Sequence, residues 1–471
     1  MKYHSTRGQA PIADFADVVL TGLARDGGLY VPESYPQFSS DQWRQLRGQS
    51  YQAVALAVMA PFVEGAIQPD ILKTLIDDTY ASFRHQAIAP LKQLDTNHFL
   101  LELFHGPTLA FKDYALQLLG RLFDHFLQER GQRLTILGAT SGDTGSAAIE
   151  ACRDKDTIEL FMLHPLSRTS EIQRKQMTTV LSKNIHNIAL KGPFDECQTI
   201  VKALFGDLEF RDRYQLSAVN SINWARILAQ VVYYVYAALS LGAPERPVSF
   251  VVPTGNFGNV FAAYVAKRMG LPIRKLAVGT NKNDILTRFF DSGKMRTDTV
   301  CPSLSPSMDI QISSNFERLL FDAFNRDAAR LAATMATFEN TGTFSVSPEV
   351  LSALRQTFIG GRLDDVGITA VIRDTYQRTG ELIDPHTAVA CAPHLLQHLM
   401  AQEPGTAVVS LACAHPAKFP DAVKTATDLS PALPAFLGNL FEREERLTVL
   451  ESDRAAVKAF VEERLMAKQS V

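Results

Sequence analysis

The chain has 471 residues, of which 46% are apolar and 21% charged, and carries a formal net charge of -3. That length exceeds one simple core and points to two or three domains. The composition excludes a disordered or fibrous chain, and the balanced charge offers nothing to nucleic acid or to an anionic membrane.

Up to about residue 95 the chain reads as mostly helical, with apolar residues at helical spacing over 53–63 and 71–83. From there short apolar runs alternate with amphipathic stretches. Strand candidates lie at 99–104, 134–137, 158–163, 185–190, 248–252, 273–278 and 407–411, with helices between them. In the helix expected over 114–129, Ala115, Leu118, Leu119, Leu122, Phe123 and Phe126 form one stripe. Such alternation predicts parallel sheets covered by helices, with ligands at the carboxyl ends of the strands. Residues 291–307 are polar and turn-rich and read as a mobile loop. The most apolar stretch, 227–241, contains Gln230 and is too short to span a bilayer. The start, MKYHSTRGQAPIADF, lacks the apolar run of a signal peptide. Cys152, Cys197, Cys301, Cys391 and Cys413 are scattered and never in a C-x-x-C pair, which fits a reducing compartment, and a cytoplasmic protein is expected. His105, His386 and His415 lack metal-ligand spacing and read as hydrogen-bonded structural groups, so no metal is expected.

Three strand-to-helix loops carry the candidate chemistry. Gly255-Asn256-Phe257-Gly258-Asn259 follows the strand at 248–252. Its glycines allow close backbone approach, and free N–H groups at the helix start attract an anion. The loop is neither a Walker motif nor G-x-G-x-x-G, and it also reads as a plain glycine turn. Gly138-Ala-Thr-Ser-Gly-Asp-Thr-Gly145 follows the strand at 134–137, and Ser141, Asp143 or Thr144 can serve merely as its helix cap. The third, Asn220-Ser221-Ile-Asn-Trp-Ala-Arg226, opens a long helix. Asn220 and Ser221 can cap it, and Arg226, one turn in, offers a fork of donors that suits phosphate or is an ordinary exposed arginine. Two anion-friendly loops suit a ligand with two anionic ends, or a cofactor and a substrate that each carry phosphate. A lone lysine, Lys112, stands between Phe111 and Asp113 in HGPTLAFKDY. Taken alone it is surface charge.

Together the stretches TGLARDGGLYVPE, HGPTLAFKDYALQLLG, GATSGDTGSAA, VNSINWARI, PTGNFGN, SPSMDIQISSNFERLLF, DPHTAVA and AHPAKFPDAV resemble the threonine synthase family, and its longer bacterial and fungal form in particular. The resemblance spans nearly the whole chain in the family's order. It implies the α/β fold of pyridoxal-phosphate (PLP) enzymes of the tryptophan-synthase-β type. That fold has two parallel-sheet α/β domains and an N-terminal, mostly helical region. The implied boundaries are 1–95 for the N-terminal region, 96–130 with 221–425 for the large PLP-binding domain, 131–220 for the smaller domain and 426–471 for a C-terminal helical tail.

The resemblance also assigns roles. Lys112 matches the lysine that bonds to the PLP aldehyde, and burial beside Phe104 and Phe111 would disfavour its charged form. Gly255, Asn256, Phe257, Gly258 and Asn259 match the cradle for the PLP phosphate. Asp143 matches a position facing the cofactor's phenolic oxygen, where it would have to be protonated or point elsewhere. Cys413 stands where relatives commonly carry threonine facing the pyridine nitrogen, and it also reads as a buried structural cysteine. Thr140 and Ser141 match residues that hold the substrate carboxylate; Thr144, Asn220, Ser221 and Arg226 match the pocket for its phosphate. Asp309, Glu317 and Arg318 receive no role beyond a charged helix face.

The implied reaction converts O-phospho-L-homoserine and water to L-threonine and phosphate, in a monomer or homodimer with no nucleic acid or membrane partner. A PLP-dependent dehydratase, or a phospholyase that ends at a 2-keto acid, is the nearer alternative. A noncatalytic nucleotide- or phosphate-binding module is the more distant one.

Overall fold

A computed structural model describes residues 1–167, 169–402 and 405–469. The chain divides into two compact units, 1–115 with 221–432 and 116–220 with 433–471.

The first unit is built on a six-stranded sheet. Its order is Phe358–Arg362, Ile273–Thr280, Val248–Pro253, Ala407–Ala412, His98–Glu102, Leu91–Asp95. All neighbours are parallel except the last pair, which is antiparallel. Val248–Pro253 and Ala407–Ala412 are buried at every position, as near-continuous apolar runs in the middle of a parallel sheet must be. Because these strands and His98–Glu102 run the same way, their carboxyl ends share one edge of the sheet. The loops that follow them are the ones the sequence singles out. The helices Tyr51–Val63 and Pro69–Tyr80 stand close to where periodicity predicts them, the first capped by the Ser50 hydroxyl on Ala53 N–H.

The second unit holds a five-stranded parallel sheet in the order Thr448–Glu451, Ile185–Lys191, Ile158–Pro165, Leu134–Ala139, Leu216–Ser217. The expected stripe on the helix Lys112–Arg130 is buried throughout.

Several expectations are corrected. The segment expected as a helical tail contributes an edge strand, Thr448–Glu451, paired with Ile185–Lys191, before its helix Arg454–Gln469. Strand Phe358–Arg362 was not foreseen, because its core is Gly360-Gly361. A Cβ on Gly360 would lie 2.9 Å from Thr287 Cα, so close packing has removed the apolar signal. Residues 291–307 are tied down. The Asp309 carboxylate accepts from Ser303 N–H at 2.9 Å and from the amides of Asn281 and Asn283 at 2.8 and 3.0 Å. Helix Trp224–Ser240 is capped by Asn223, whose Oδ1 accepts from Ala225 N–H at 3.0 Å, and not by Asn220 or Ser221. Among the described residues no helix is long and apolar enough to cross a membrane.

Candidate active site

In the first unit, Lys112 opens its helix from a turn that the neighbouring aspartate builds. The fully buried Asp113 carboxylate accepts from Thr108 N–H at 2.8 Å and from the Thr108 hydroxyl at 2.7 Å. Gly106 is required there, since a Cβ would lie 2.5 Å from the Asp113 side chain. Lys418 Nζ donates to Thr108 O at 2.8 Å and holds the turn from the other side. Phe111 N–H donates to Cys413 O at 2.8 Å, which brings Lys112 to the end of strand Ala407–Ala412. Lys112 is 7% exposed, so it is not surface charge. Its Nζ donates to Ser307 Oγ at 3.3 Å and lies 5.0 Å from the Phe111 ring centroid. The other expected neighbour, Phe104, packs its ring on His105 and His415.

The glycine loop is aimed by its carbonyls. Gly255 O accepts from Ser313 Oγ at 2.7 Å. Asn256 O accepts from Asn315 N–H at 3.1 Å and from the Asn315 amide at 3.0 Å. In a planar trans peptide the N–H points opposite to the C=O. Pinning those two carbonyls therefore turns the N–H groups of Asn256 and Phe257 the other way. Among the described residues no protein acceptor meets the N–H groups of Gly255, Asn256, Phe257 and Gly258. Phe257 sits at φ 62°, a strained conformation for a bulky residue, and is held by ring contacts with Phe316 and Phe358. A Cβ on Gly255 would lie 2.9 Å from Ser307 O, so no larger residue fits. Asn259 turns its Oδ1 to the hydroxyls of Tyr233 and Tyr234, which leaves its buried Nδ2 unpartnered.

Arg226 is 5% exposed, and its Nε and one terminal nitrogen have no partner among the described residues. Burial pushes its guanidinium down to about 10, still charged at neutral pH. A buried cation without a counter-charge is costly, and a bound anion would offset that cost. Ser221 is half-buried, and its carbonyl accepts from the Asn315 amide at 3.0 Å. Cys413 is buried, and its N–H donates to Thr387 Oγ1 at 3.1 Å.

In the second unit, Thr140 organises the loop after strand Leu134–Ala139. Its hydroxyl oxygen accepts from Gly142 N–H at 3.0 Å and Gly145 N–H at 2.9 Å, which leaves the hydroxyl proton free to donate. The helix Asp143–Cys152 has Gly142 at its N-cap, at φ 141°, and it is the Thr140 hydroxyl that meets a first-turn N–H, that of Gly145. The expected capping by Ser141, Asp143 or Thr144 is therefore corrected. A Cβ at Gly142 would lie 2.5 Å from the Gln173 amide. Asp143 is buried and its Oδ1 accepts from Gln173 Nε2 at 2.9 Å, so one oxygen is committed inside its own unit. Ser141 is exposed, Thr144 half-buried, and Asn220 Oδ1 is buried without a partner among the described residues.

Sequence reasoning missed Ser307, Asn315, Asp384 and Thr387, and read His386 only as a structural group. All five lie inside the motifs SPSMDIQISSNFERLLF and DPHTAVA, which was the available signal. Three residues without a role now have one. Asp309 knots its loop. Glu317 accepts from Thr6 Oγ1 at 2.6 Å and pairs with Arg7 at 3.1 Å. Arg318, fully buried over the Trp224 ring, donates to Tyr30 O, Ile222 O and Asn315 Oδ1.

These residues fit pyridoxal phosphate: a buried primary amine, a backbone cradle with unclaimed N–H groups beside it, and a buried cysteine on the adjoining strand end. The comparisons agree. Family models described as "Threonine synthase N terminus", "Pyridoxal-phosphate dependent enzyme" and "Threonine synthase, C-terminal" match residues 2–80, 83–414 and 387–461. A threonine synthase of Pseudomonas aeruginosa is 53% identical over 98% of each chain. That of Saccharomyces cerevisiae is 41% identical, also over 98% of each. The crystal structure of PLP-bound threonine synthase from Brucella melitensis superposes with a TM-score of 0.95 at 52% identity, covering 98% of this chain and 99% of that one. The chain belongs to the threonine synthase family of pyridoxal-phosphate-dependent enzymes.

Proposed function

We propose that the chain converts O-phospho-L-homoserine and water to L-threonine and phosphate, breaking the Cγ–O bond and forming a Cβ–OH bond. When bound, the cofactor supplies an aldehyde that captures amines and a ring that takes up negative charge. Lys112 Nζ would hold the cofactor through that aldehyde and, as a base beside the substrate, would take the α proton and carry protons between carbons. The N–H groups of Gly255 to Asn259 bind the cofactor phosphate. The Cys413 thiol would face the pyridine nitrogen as a weak hydrogen-bond partner, which would disfavour transamination. Asp143, whose Oδ1 accepts from Gln173 Nε2, would serve the phenolic oxygen only in its protonated form. Thr140 and Ser141 hold the substrate carboxylate. Thr144, Asn220, Ser221 and Arg226 bind its phosphate and stabilise it as it leaves.

Arg226 carries this reading. A buried guanidinium with two unpartnered nitrogens calls for an anion, and a dehydratase substrate bearing only a hydroxyl would leave it uncompensated. The test is product analysis with the PLP-loaded chain and O-phospho-L-homoserine. Threonine and phosphate are expected in equal amounts. Phosphate with 2-oxobutyrate and no threonine would make it a phospholyase instead. Its place of action is proposed as the cytoplasm, in keeping with five cysteines that are all free.

A further inference from the structure

The motif DPHTAVA forms a short helix, Pro385–Ala390, capped by Asp384. Its corner reaches the lysine by two routes. On the first, Ser307 N–H donates to His386 Nε2 at 3.3 Å, so that nitrogen carries a lone pair and Nδ1 carries the proton. Nδ1–H in turn donates to Asp384 Oδ2 at 2.7 Å. The imidazole is thereby fixed in one tautomer, 4% exposed, with Phe419 packed edge-on against it. The residue it fixes, Ser307, accepts from Lys112 Nζ at 3.3 Å. On the second route, Thr387 Oγ1 donates to Asp384 Oδ1 and accepts from Cys413 N–H at 3.1 Å. Cys413 O then accepts from Phe111 N–H at 2.8 Å, one residue before Lys112.

We propose that the Asp384-Pro-His-Thr corner is the positioning device of Lys112: through His386 it sets the hydroxyl that receives the amine, and through Thr387 it sets the backbone that presents it. One fully buried carboxylate accepts from both branches, so the amine and its backbone are referenced to a single point. Ser307, His386, Thr387 and Asp384 are positioning residues. A reactive group needs this because small displacements from attack geometry cost large factors in rate. The inference rests on Lys112 being the cofactor lysine.

The test measures covalent capture of PLP by the full-length chain after its cofactor is stripped. Capture is followed by visible absorbance and located by borohydride reduction and peptide mapping. Ser307→Ala is expected to slow capture about tenfold, as loss of attack geometry does, with the thermal midpoint unchanged. Ser307→Thr, which restores a hydroxyl, is expected to recover most of the rate. His386→Phe keeps a ring against Phe419 but removes the acceptor. It is expected to slow capture too, and to add little on top of Ser307→Ala, because both act through one contact. Capture by Ser307→Ala at the wild-type rate overturns the proposal, whether or not the His386 variant folds. Unchanged capture by Lys112→Ala would instead overturn the assignment of the lysine itself.

Discussion

Asn315 holds Asn256 by two hydrogen bonds, from its backbone N–H at 3.1 Å and from its side-chain amide at 3.0 Å, both to the Asn256 carbonyl. The same amide donates to Ser221 O at 3.0 Å, so one side chain spans the glycine loop and the loop that leads to Arg226. Asn315→Ala should leave both carbonyls short of a donor and loosen the cradle. PLP affinity should fall by about 1–2 kcal/mol, roughly a tenfold rise in Kd. Fluorescence titration of the stripped protein reads this directly.

Arg226 makes the opposite trade. Its unpartnered buried charge costs stability in the ligand-free chain. Arg226→Met is expected to raise the unfolding free energy by ~1–2 kcal/mol while abolishing turnover of a phosphorylated substrate. Inorganic phosphate added to the PLP-loaded protein, whose glycine cradle is already filled, should raise the thermal midpoint of the wild type and not that of the variant.

Gly255 faces Ser307 O across a gap that admits no Cβ. Gly255→Ala must move either the cradle or the Ser307 loop, at a cost of about 1–3 kcal/mol. Weaker PLP binding and slower covalent capture are expected together, because the displaced segment also carries the hydroxyl facing Lys112.

His98 supplies a pH dependence of stability. It is 3% exposed and lies 2.9 Å from Ser410 Oγ, whose own proton goes to Ala390 O at 2.7 Å. His98 Nε2 must therefore be the donor, in the neutral ring. Burial, with the charge of Arg378, pushes His98 down to about 4 from the ordinary 6.5. Between those values the unfolded chain binds the extra proton, so this contribution is complete above about 6.5 and is lost as pH falls towards about 4. The loss amounts to ~3 kcal/mol. Urea midpoints measured across that window should fall steeply for the wild type. They should fall less for His98→Gln, which keeps a donor for Ser410.

Much of the site was legible because its chemistry is local in the chain. Lys112 stands inside a turn whose glycine, threonine and aspartate are all within six residues of it, and the loop at 255–259 joins a buried strand directly to a helix. What escaped was the support. Ser307, Asn315 and His386 act through partners more than fifty residues away, and hydrogen bonds at that separation leave no periodicity or spacing to read. The caps show the same limit. Asn220, Ser221 and Asn223 are chemically equivalent candidates along the chain, and only the path of the backbone selects Asn223.

By itself the sequence determined the alternation of apolar runs and amphipathic stretches, and with it a parallel α/β architecture, because apolar burial and helix periodicity are local properties. The tertiary structure alone decided which carbonyls in the glycine loop are pinned, and so where its N–H groups point. It also decided that Arg226 is buried with no counter-charge among the described residues, and that one carboxylate, Asp384, references both the amine and the backbone of Lys112. Those are consequences of distant segments meeting, and the free energy of such meetings depends on distance and burial, which no order of residues records.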